Sequence, residues 1–399
     1  MARGALTGLK VLEYATMVSG PYCGKLFADL GADVIKVEPP EGDPARHFGP
    51  FPKSGPHPER SALFLYNNTS KRGITLDLDK AAGLAAFKRL LQWADVLIDN
   101  HPPQRLEKLG LGWEAIHEMN PRLIYTSITP YGRTGRRANV KGDEVTLIQA
   151  GGLGNILPAR SMDIDRAPVK LGGYAVGYHG AIAAATATMG GVFGRIKTGR
   201  GQLIDVSLQE VVLMLVRPNV AGNRYNDTTW SRVPDRPPAM GRTETKDGYI
   251  IIGAAEDHHF RAFIELMGNP EWGASPAWNS NTYRARHGME IAPMINEWAA
   301  QQTKDDIHHR GAKKGIPMGP VNSVEDLLRD GQYAFRGYFV EVEHPEVGKH
   351  KYAGWPHQMT ASPPQVSRPA PMLGQHNHEV LCSVLGYTEE EFEHLSKGR

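Results

Sequence analysis

A glycine turn between two strand-like segments is the first place where the sequence could do chemistry. Leu9 to Tyr14 is typical of a strand, and Glu38 ends a second one that starts at Asp33. A turn of this kind, followed by an acid that binds a ribose, occurs in dinucleotide-binding proteins. Here the turn runs Ser19-Gly20-Pro21-Tyr22-Cys23-Gly24, without the G-x-G-x-x-G spacing that lets a backbone approach a pyrophosphate. The sequence therefore disfavours a nicotinamide-dependent dehydrogenase.

The histidines form no recognisable metal site. His258-His259 and His308-His309 are adjacent pairs, and adjacent side chains on a helix diverge by about 100°, so neither pair is expected to share an ion. His376 and His378 lie in a polar stretch without a carboxylate at a spacing that would complete a site. We therefore predict no bound metal.

Charge and cysteine content narrow the class of protein. The 399 residues carry 45 Lys and Arg against 43 Asp and Glu, a net charge of +2, and no run of like charges stands out. This balance argues against nucleic acid or a membrane as the main partner. Cys23 and Cys382 are too few for a disulfide framework, and Cys23 is expected to be packed rather than reactive. With no signal-peptide-like stretch at the N-terminus, these features predict a cytoplasmic protein.

The elements that must position any site alternate between strand and helix over the first 130 residues, which is typical of βαβ units on a parallel sheet. Predicted strands cover Leu9 to Tyr14, Asp33 to Glu38, Asp95 to Asp99 and Leu123 to Ile128. Predicted helices cover Pro21 to Leu30, Lys80 to Trp93 and Trp113 to Met119. We therefore expect an α/β fold with a doubly wound sheet.

The length of the chain exceeds what one hydrophobic core usually serves, so two domains are expected. Between Asn219 and Met240 the composition becomes polar and proline-rich, which indicates a linker or exposed excursion. From Phe339 onward short strands and the proline-rich stretch SPPQVSRPAPM favour a segment that crosses back over a surface.

The stretch from Leu171 to Gly194 carries no Asp, Glu, Lys or Arg over a length that could span a bilayer. Most of it is Ala and Gly, so its hydrophobicity is poor and its side chains are small. We expect a helix buried between protein layers and packed closely through these small residues.

Several segments in collinear order resemble the family III coenzyme A transferases, which include formyl-CoA, carnitine and benzylsuccinate CoA transferases and the related α-methylacyl-CoA racemases. The segments are LKVLEYATMVSGPYCGKLFADLGADVIKVEPPEGDPAR, NNTSKRGITLDL, ADVLIDNHPPQRLEKLGLGWEAI, NPRLIYTSITPYGRTG, TGRGQLIDVSLQE, KDGYIIIG, GIPMGPVNSVEDLL and PMLGQHNHEVL. They extend from Leu9 to Leu381, nearly the whole chain.

The resemblance implies an architecture and partners. It implies a large Rossmann-like domain built from residues 1–218 and a returning C-terminal segment, 339–399. A smaller α+β domain, with its linker, would span residues 219–338. It also implies an interlocked homodimer, or a heterodimer with a related sister subunit. The substrates would be an acyl-CoA thioester and a carboxylic acid acceptor, for example those of a succinyl-CoA:benzylsuccinate-type transferase, with no permanently bound cofactor.

The resemblance also implies which residues hold coenzyme A. Met17 and Val18 match the turn after the first strand, which lines the adenine and pantetheine region in relatives. Lys71 matches the lysine of an "NKR" segment, Asn100 the asparagine after the fourth strand, and Lys108 the basic residue before "LG". Tyr131 lies in a "PYG" turn that contacts pantetheine in relatives.

The catalytic position departs from the family pattern. Transferases of the family resemble one another in a Pro-x-Arg/Lys-x-Gly segment followed, after four residues, by the Asp or Glu that attacks the thioester. Here the segment starts at Pro168 and contains Lys170 and Gly172, so the acid position is Gly177. A glycine has no side chain to acylate.

Three explanations stay open for an enzyme without this acid. The chain is the non-nucleophilic subunit of a heteromeric transferase, which we favour, or Glu144 or Asp143 replaces the missing carboxylate, or the chain only binds acyl-CoA. Racemisation is the main rival activity and needs two bases around the thioester α-carbon. In the racemases these two bases fall in the regions of Asp143 and Gly177. Both bases are therefore missing here, and His179 is left as a displaced base. Tyr174, Tyr178 and Trp230 would hint at a bulky acid if they face the pocket.

Overall fold

A computed structural model describes residues 4–158, 165–228, 231–232 and 241–397. The chain divides into two compact units. The first consists of Met1–Leu157, Pro168–Trp230 and Tyr338–Arg399, and the second of Pro158–Ala167 and Ser231–Gly337. The first unit therefore takes sequence from both ends of the chain.

The first unit is built on a six-stranded, entirely parallel sheet with the order β3-β2-β1-β4-β5-β6. Its strands are β1 (Lys10–Tyr14), β2 (Asp33–Glu38), β3 (Arg72–Thr75), β4 (Val96–Asp99), β5 (Ile124–Thr129) and β6 (Gln202–Ser207). The chain winds outward from β1 in one direction and then returns to β4 on the other side. The order therefore reverses between β1 and β4, where doubly wound proteins hold their ligands.

Ten helices of the described residues belong to this unit, and several of them pack on the sheet. They are α1 (Ser19–Asp29), α2 (Ala62–Asn67), α3 (Ala81–Trp93), α4 (Gln104–Lys108), α5 (Trp113–Met119), α6 (Glu144–Ala150), α7 (Ala175–Thr198), α8 (Leu208–Leu215), α9 (Arg217–Asn226) and α15 (Glu389–Lys397). Short 3₁₀ turns occupy Pro44–His47 and Leu153–Ile156, and a π-helix occupies Glu379–Val384.

Two hydrophobic cores lie on the two faces of the sheet. Leu12 and Leu97 face the core that contains α3, while Val11 and Ile98 face the core that contains α1 and α7. Because both faces of a parallel sheet are covered, its central strands are nearly continuous apolar runs, which explains why the sequence predicted them. The predicted α/β class, with a Rossmann-like large unit, is confirmed.

Two glycines in the first half of α1 allow this helix to approach the sheet closely. A Cβ at Gly20 would lie 2.2 Å from the Ala15 Cβ, and one at Gly24 would lie 1.9 Å from a carboxylate oxygen of Glu13. Any larger side chain would force α1 outward. These glycines therefore serve the packing of a helix on a strand.

Helix α7 confirms that the Ala- and Gly-rich stretch is helical. It packs on α1 and on β5 and β6 through small residues, and a Cβ at Gly180 would lie 2.1 Å from a methyl group of Leu208. The expectation that this stretch lies buried between protein layers is wrong for the chain taken alone, because Ile182 and Phe193 are 51% and 65% exposed. Among the described residues, no helix combines the length and apolar character needed to cross a membrane.

The second unit is a small α+β structure. Its antiparallel sheet has the order β7-β8-β9, formed by Arg242–Thr245, Gly248–Ile252 and Met318–Val321. Its helices are α10 (Asp257–Leu266), α11 (Asn281–Ala300), α12 (Lys304–Lys313), α13 (Val324–Arg329) and α14 (Gly331–Phe335), with 3₁₀ turns at Glu271–Ala274 and Pro276–Asn279. They enclose a core that includes Phe260, Phe263 and Ile291.

The segments before and after the second unit differ in structure. Residues 219–226 of the predicted linker continue helix α9, in which every side chain is at least partly exposed, and residues 229–230 and 233–240 lie outside the described residues. After the antiparallel hairpin β10 (Phe339–His344) and β11 (Gly348–Ala353), the C-terminal segment runs along the edge of the large sheet. There the Gly73 N–H donates to His376 Nδ1, and the Thr75 N–H donates to Asn377 Oδ1.

Candidate functional site

The loop after β1 reaches the point where the strand order reverses. Met17 has a φ of +63°, a conformation that side chains other than glycine rarely adopt. Its N–H donates a 3.0 Å hydrogen bond to Asp43 Oδ1, and the neighbouring Val18 is buried. Backbone strain of this kind persists only when surrounding contacts hold it, and it is concentrated at functional sites.

Asn100 fastens the same loop from the end of β4. Its Oδ1 accepts from the Thr16 N–H at 2.8 Å, and its Nδ2 donates to the Thr16 carbonyl at 2.8 Å and to the Ser19 hydroxyl at 3.0 Å. Both N–H groups of the side chain are thereby used within the protein. The structure thus brings Asn100 together with Met17 and Val18 at the carboxyl ends of β1 and β4.

A cleft of about 450 Å³ opens beside Asn100. Its walls include Pro102, Pro130, Val140 and Lys141. A cleft of this volume, apolar with a few polar groups, has the size and character of a small-molecule site.

Tyr131 and Lys108 lie at the same sheet edge but differ in exposure. Tyr131 directly follows the cleft residue Pro130 and is half-buried, 3.2 Å from where a Cβ at Gly142 would be. Lys108 ends α4 and is exposed, and within the described residues it forms no ion pair. Its ammonium group is therefore available to a phosphate.

Lys71 occupies a different environment from the one expected of a phosphate ligand. It is fully buried, and its Nζ lies 2.7 Å from Glu13, 2.7 Å from the Pro21 carbonyl and 2.8 Å from Asn68 Oδ1. Burial lowers the pKa of Lys71 to about 8. The ammonium group donates to two protein oxygens and pairs with Glu13 out of reach of solvent, so the geometry disfavours a direct contact between Lys71 and CoA.

Gly177 lies in the first turn of α7, where the N–H groups of a helix point outward without helical partners. A Cβ at this position would lie 3.0 Å from a methyl group of Val18 and 3.4 Å from Glu144 Oε1. The position that would carry the acid therefore faces both the predicted CoA loop and a carboxylate from another helix.

The Glu144 carboxylate binds the N-terminus of α7. Its Oε2 accepts from the Val176 N–H at 3.0 Å, and its Oε1 accepts from the Gly177 N–H at 2.8 Å. Glu144 belongs to α6, but its side chain bridges to a helix that starts 31 residues later in the chain. Two backbone donors and the helix dipole together stabilise negative charge at this point.

Asp143 and His179 do not share this arrangement. The Asp143 carboxylate accepts from the Thr146 N–H at 3.0 Å within its own capping box, and this backbone donor keeps the pKa of Asp143 below its usual range. His179 is exposed, with Nδ1 2.6 Å from the Ala175 carbonyl of its own helix. Of the predicted candidates, Glu144 alone has its carboxylate beside Gly177 among the contacts described here.

Aromatic side chains border this site. Tyr174 and Tyr178 pack in one apolar cluster with Met17 and Val18, and the Tyr178 ring meets Tyr22 edge-on at 4.8 Å. Burial raises the pKa of Tyr178, so its hydroxyl group stays protonated. Trp230 lies outside the described residues.

The histidine clusters differ in part from their prediction. The rings of His258 and His259 do not diverge but lie 3.9 Å apart. His378 does have a carboxylate neighbour, because its Nε2 lies 2.8 Å from Glu389, close to Cys382. Glu389 belongs to a later helix, which the local spacing could not show. Both clusters are mainly exposed.

Sequence reasoning did not identify Asp43 and Lys36 as parts of the site. Lys36 is fully buried and donates to Asp43 Oδ2 at 2.9 Å and to the Ala15 carbonyl at 2.7 Å. The available signal was a lysine in the middle of the apolar strand DVIKVE, since a buried charge requires partners.

Comparison with known proteins gives a consistent result. The chain matches the sequence model of "CoA-transferase family III" over residues 6–377. Succinyl-CoA--D-citramalate CoA-transferase of Chloroflexus aurantiacus is 30% identical over 402 residues, covering 99% of this chain and 97% of that protein. The beta subunit of succinyl-CoA--L-malate CoA-transferase from the same organism is 29% identical over 405 residues, covering 99% and 97%. The crystal structure of a CAIB/BAIF family protein from Brucella suis superposes with a TM-score of 0.85 at 29% identity, covering 96% of this chain and 100% of that one.

Proposed function

This chain belongs to CoA-transferase family III, whose members act on acyl-CoA thioesters, and we propose that it transfers CoA to a carboxylic acid with Glu144 as the attacking carboxylate. The observation that supports this proposal is the position of Glu144. Its two oxygens rest on the N–H groups of Val176 and Gly177, next to the point from which family members project their acid. The Glu144 side chain, which extends from α6, thus brings a carboxylate beside Gly177, where the chain has no acid of its own.

Besides the two substrates, the chemistry needs only one carboxylate from the protein. A Glu144 oxygen attacks the thioester carbonyl, the carbon–sulfur bond breaks, and CoA leaves as a thiolate while a mixed anhydride forms. The thiolate then attacks the glutamyl carbonyl and expels the original acid, which leaves a glutamyl-CoA thioester. The acceptor acid repeats these steps in reverse order and departs as the new thioester. The N–H groups of residues 176 and 177, which hold the Glu144 oxygens, would stabilise the oxyanion that forms on the glutamyl carbonyl when the thiolate attacks it.

The CoA molecule is proposed to bind along the carboxyl edge of the sheet. Met17, Val18 and Tyr131 would contact the pantetheine and adenine, and the exposed ammonium of Lys108 would pair with a phosphate. Asn100 lines the cleft beside them. Lys71 is omitted from this set because its ammonium group is buried and paired with Glu13.

We propose a small dicarboxylic acid as the substrate class. The two relatives described above are named for succinyl-CoA with citramalate or malate, all of which are short dicarboxylic acids. A benzylsuccinate-type transferase, the example that the sequence suggested, acts on a bulkier acid. Tyr174 and Tyr178 pack in the apolar cluster with Met17 and Val18 and are not among the cleft residues, so they give no support to a bulky aromatic acid.

A second polypeptide is proposed to cover α7, α8 and α9. These helices expose large apolar side chains in the chain taken alone, including Phe193, Ile196, Met214 and Tyr225. Exposed apolar groups in such number favour a protein partner. A second copy, or a related sister subunit interlocked with this chain, would fit this surface.

Both cysteines are free, and the cytoplasm remains the proposed location.

The non-nucleophilic subunit remains the second candidate function. Both Glu144 oxygens already accept backbone hydrogen bonds, which is also what a purely structural cap would do. The beta-subunit name of one relative shows that heteromeric members exist. An acyl-CoA-binding protein without turnover would show the same geometry. The exposed His179, bonded to its own helix, gives no support to a racemase.

Chemical trapping separates these functions. The purified chain is incubated with succinyl-CoA, quenched with hydroxylamine and digested for mass spectrometry. A nucleophilic Glu144 predicts a glutamyl hydroxamate at residue 144, absent without thioester and absent in Glu144→Gln. An unlabelled chain that gains activity only with an acid-bearing sister subunit would establish the second candidate. Co-purifying proteins, identified by mass spectrometry, would reveal that subunit.

A further inference from the structure

Two side chains hold the loop between β1 and α1 in a strained conformation. One follows β2 and the other follows β4, the two strands that flank β1 in the sheet. The Asn100 amide binds the N–H and the carbonyl of Thr16, while the Asp43 carboxylate binds the N–H of Met17. Two successive peptide N–H groups are therefore fixed by side chains far away in sequence. Met17, which carries the second of these N–H groups, has the positive φ.

Asp43 is itself fixed by a buried ion network. Its Oδ2 accepts from Lys36 at 2.9 Å, and Lys36 also donates to Glu13 at 3.1 Å and to the Ala15 carbonyl at 2.7 Å. Lys36 thus uses all three hydrogens, one of them on the same loop. Glu13, Lys36 and Asp43 are each fully buried. Such a network is costly to desolvate and is well defined only when every member is satisfied.

We propose that Asp43 and Asn100 are positioning residues that hold the backbone of Thr16 and Met17 in the conformation that binds coenzyme A, with Lys36 orienting the Asp43 carboxylate. This inference rests on the proposed function, because the loop matters only if CoA binds there. Neither side chain needs to touch the ligand to act. The network acts by pre-organisation, since a loop already fixed pays no ordering cost when the ligand binds.

A merely structural role is the rival explanation. Asp43 Oδ1 also accepts from the Ala45 N–H at 2.8 Å and so caps the 3₁₀ turn at Pro44–His47. Loss of Asp43 would therefore destabilise the protein in either case. A test needs a readout that stability alone does not move.

The main experiment compares Asp43→Asn with Asp29→Asn. Asp29 is equally buried, pairs with Lys25 at 2.7 Å, and accepts from the Ser70 hydroxyl, but its described contacts do not include the loop after β1. Both variants break one buried ion pair. The dissociation constant for CoA is measured by calorimetry at a temperature where both variants are folded. We expect Asp43→Asn to weaken CoA binding on the order of tenfold, and Asp29→Asn to change it less than about twofold.

Amide hydrogen exchange gives a second readout without any ligand. In Asp43→Asn the peptide that contains Thr16 and Met17 should exchange faster, whereas in Asp29→Asn it should stay protected. If Asp43→Asn does not fold, Asn100→Ala tests the same loop from the other side by hydrogen exchange, a readout without ligand that does not depend on Asn100 lining the cleft.

The outcomes separate this inference from the proposed function. A wild-type chain that binds no CoA would overturn the proposed function. If Asp43→Asn or Asn100→Ala binds CoA as tightly as the wild type, the positioning role is overturned and the proposed function stays intact. The same follows if Asp29→Asn loses as much CoA affinity as Asp43→Asn.

Discussion

The Gly177 N–H donates a 2.8 Å hydrogen bond to Glu144 Oε1, which joins α7 to α6. The contact is fixed by packing, because Leu147 of α6 and Val176 of α7 share one buried cluster. The geometry therefore couples the carboxylate to the helix N-terminus through the core. It also means that a side chain at 177 and the Glu144 carboxylate would compete for one space.

Replacing Glu144 tests its chemical role. Glu144→Gln keeps the length of the side chain but lacks the nucleophilic oxygen, and we expect CoA transfer to fall by at least about a thousandfold. The affinity for CoA should remain within a few-fold of wild type. Asp143→Asn is the matched control, because asparagine caps a helix as well as aspartate does. Steady-state kinetics with both variants would contradict the proposal if Glu144→Gln kept most of its activity.

Restoring an acid at position 177 should fail unless Glu144 is shortened. In Gly177→Asp the new Cβ would crowd Val18 at 3.0 Å and Glu144 at 3.4 Å, and two carboxylates would repel each other. We expect a loss of about 1–3 kcal/mol in stability. Gly177→Asp/Glu144→Ala should recover stability and regain transfer. Thermal unfolding and kinetics on wild type, both single variants and the double variant give the comparison, and additive effects would refute the shared space.

Binding of CoA itself is the simplest check on the proposed site. A ligand present at 100 times its dissociation constant stabilises the folded state by about 2.7 kcal/mol, so CoA should raise the melting temperature by several degrees. Adenosine alone should raise it less. No shift with millimolar CoA would remove the claim of a CoA site.

The sequence predicted the regular elements well and the site only in part. The strands at Asp33–Glu38 and Val96–Asp99 were predicted because they are apolar or β-branched runs bounded by turns. β3, with four residues, and β6 lacked a signal strong enough to stand out. Lys71 was interpreted as a surface ligand because a motif match does not reveal burial. The bond between Glu144 and α7 depends on how two helices pack, which no local pattern encodes.

The apolar surface of α7 gives a prediction about assembly. Phe193 is 65% exposed in the single chain, and Phe193→Asp would place a charge in the proposed interface. We expect the variant to sediment as a smaller species than wild type at micromolar concentration, because charge is excluded from interface cores. Met289→Asp, which changes an exposed apolar residue of α11, is the control. Equal sedimentation of wild type and Phe193→Asp would place the partner elsewhere.

The pH dependence of stability should report the ion network beneath the loop. Burial alone would raise the pKa of Asp43, but Lys36 and the N–H groups of Met17 and Ala45 hold it below its ordinary value of 3.8. A carboxyl group with a lowered pKa in the folded state contributes stability that is present above pH 3.8 and is lost as the pH falls through the lower folded value. The free energy of unfolding of wild type should therefore fall more steeply below pH 4 than that of Asp43→Asn, which cannot titrate there. Urea unfolding between pH 3 and pH 6 measures both slopes. Parallel slopes would show that Asp43 carries no net stabilising charge in the folded protein.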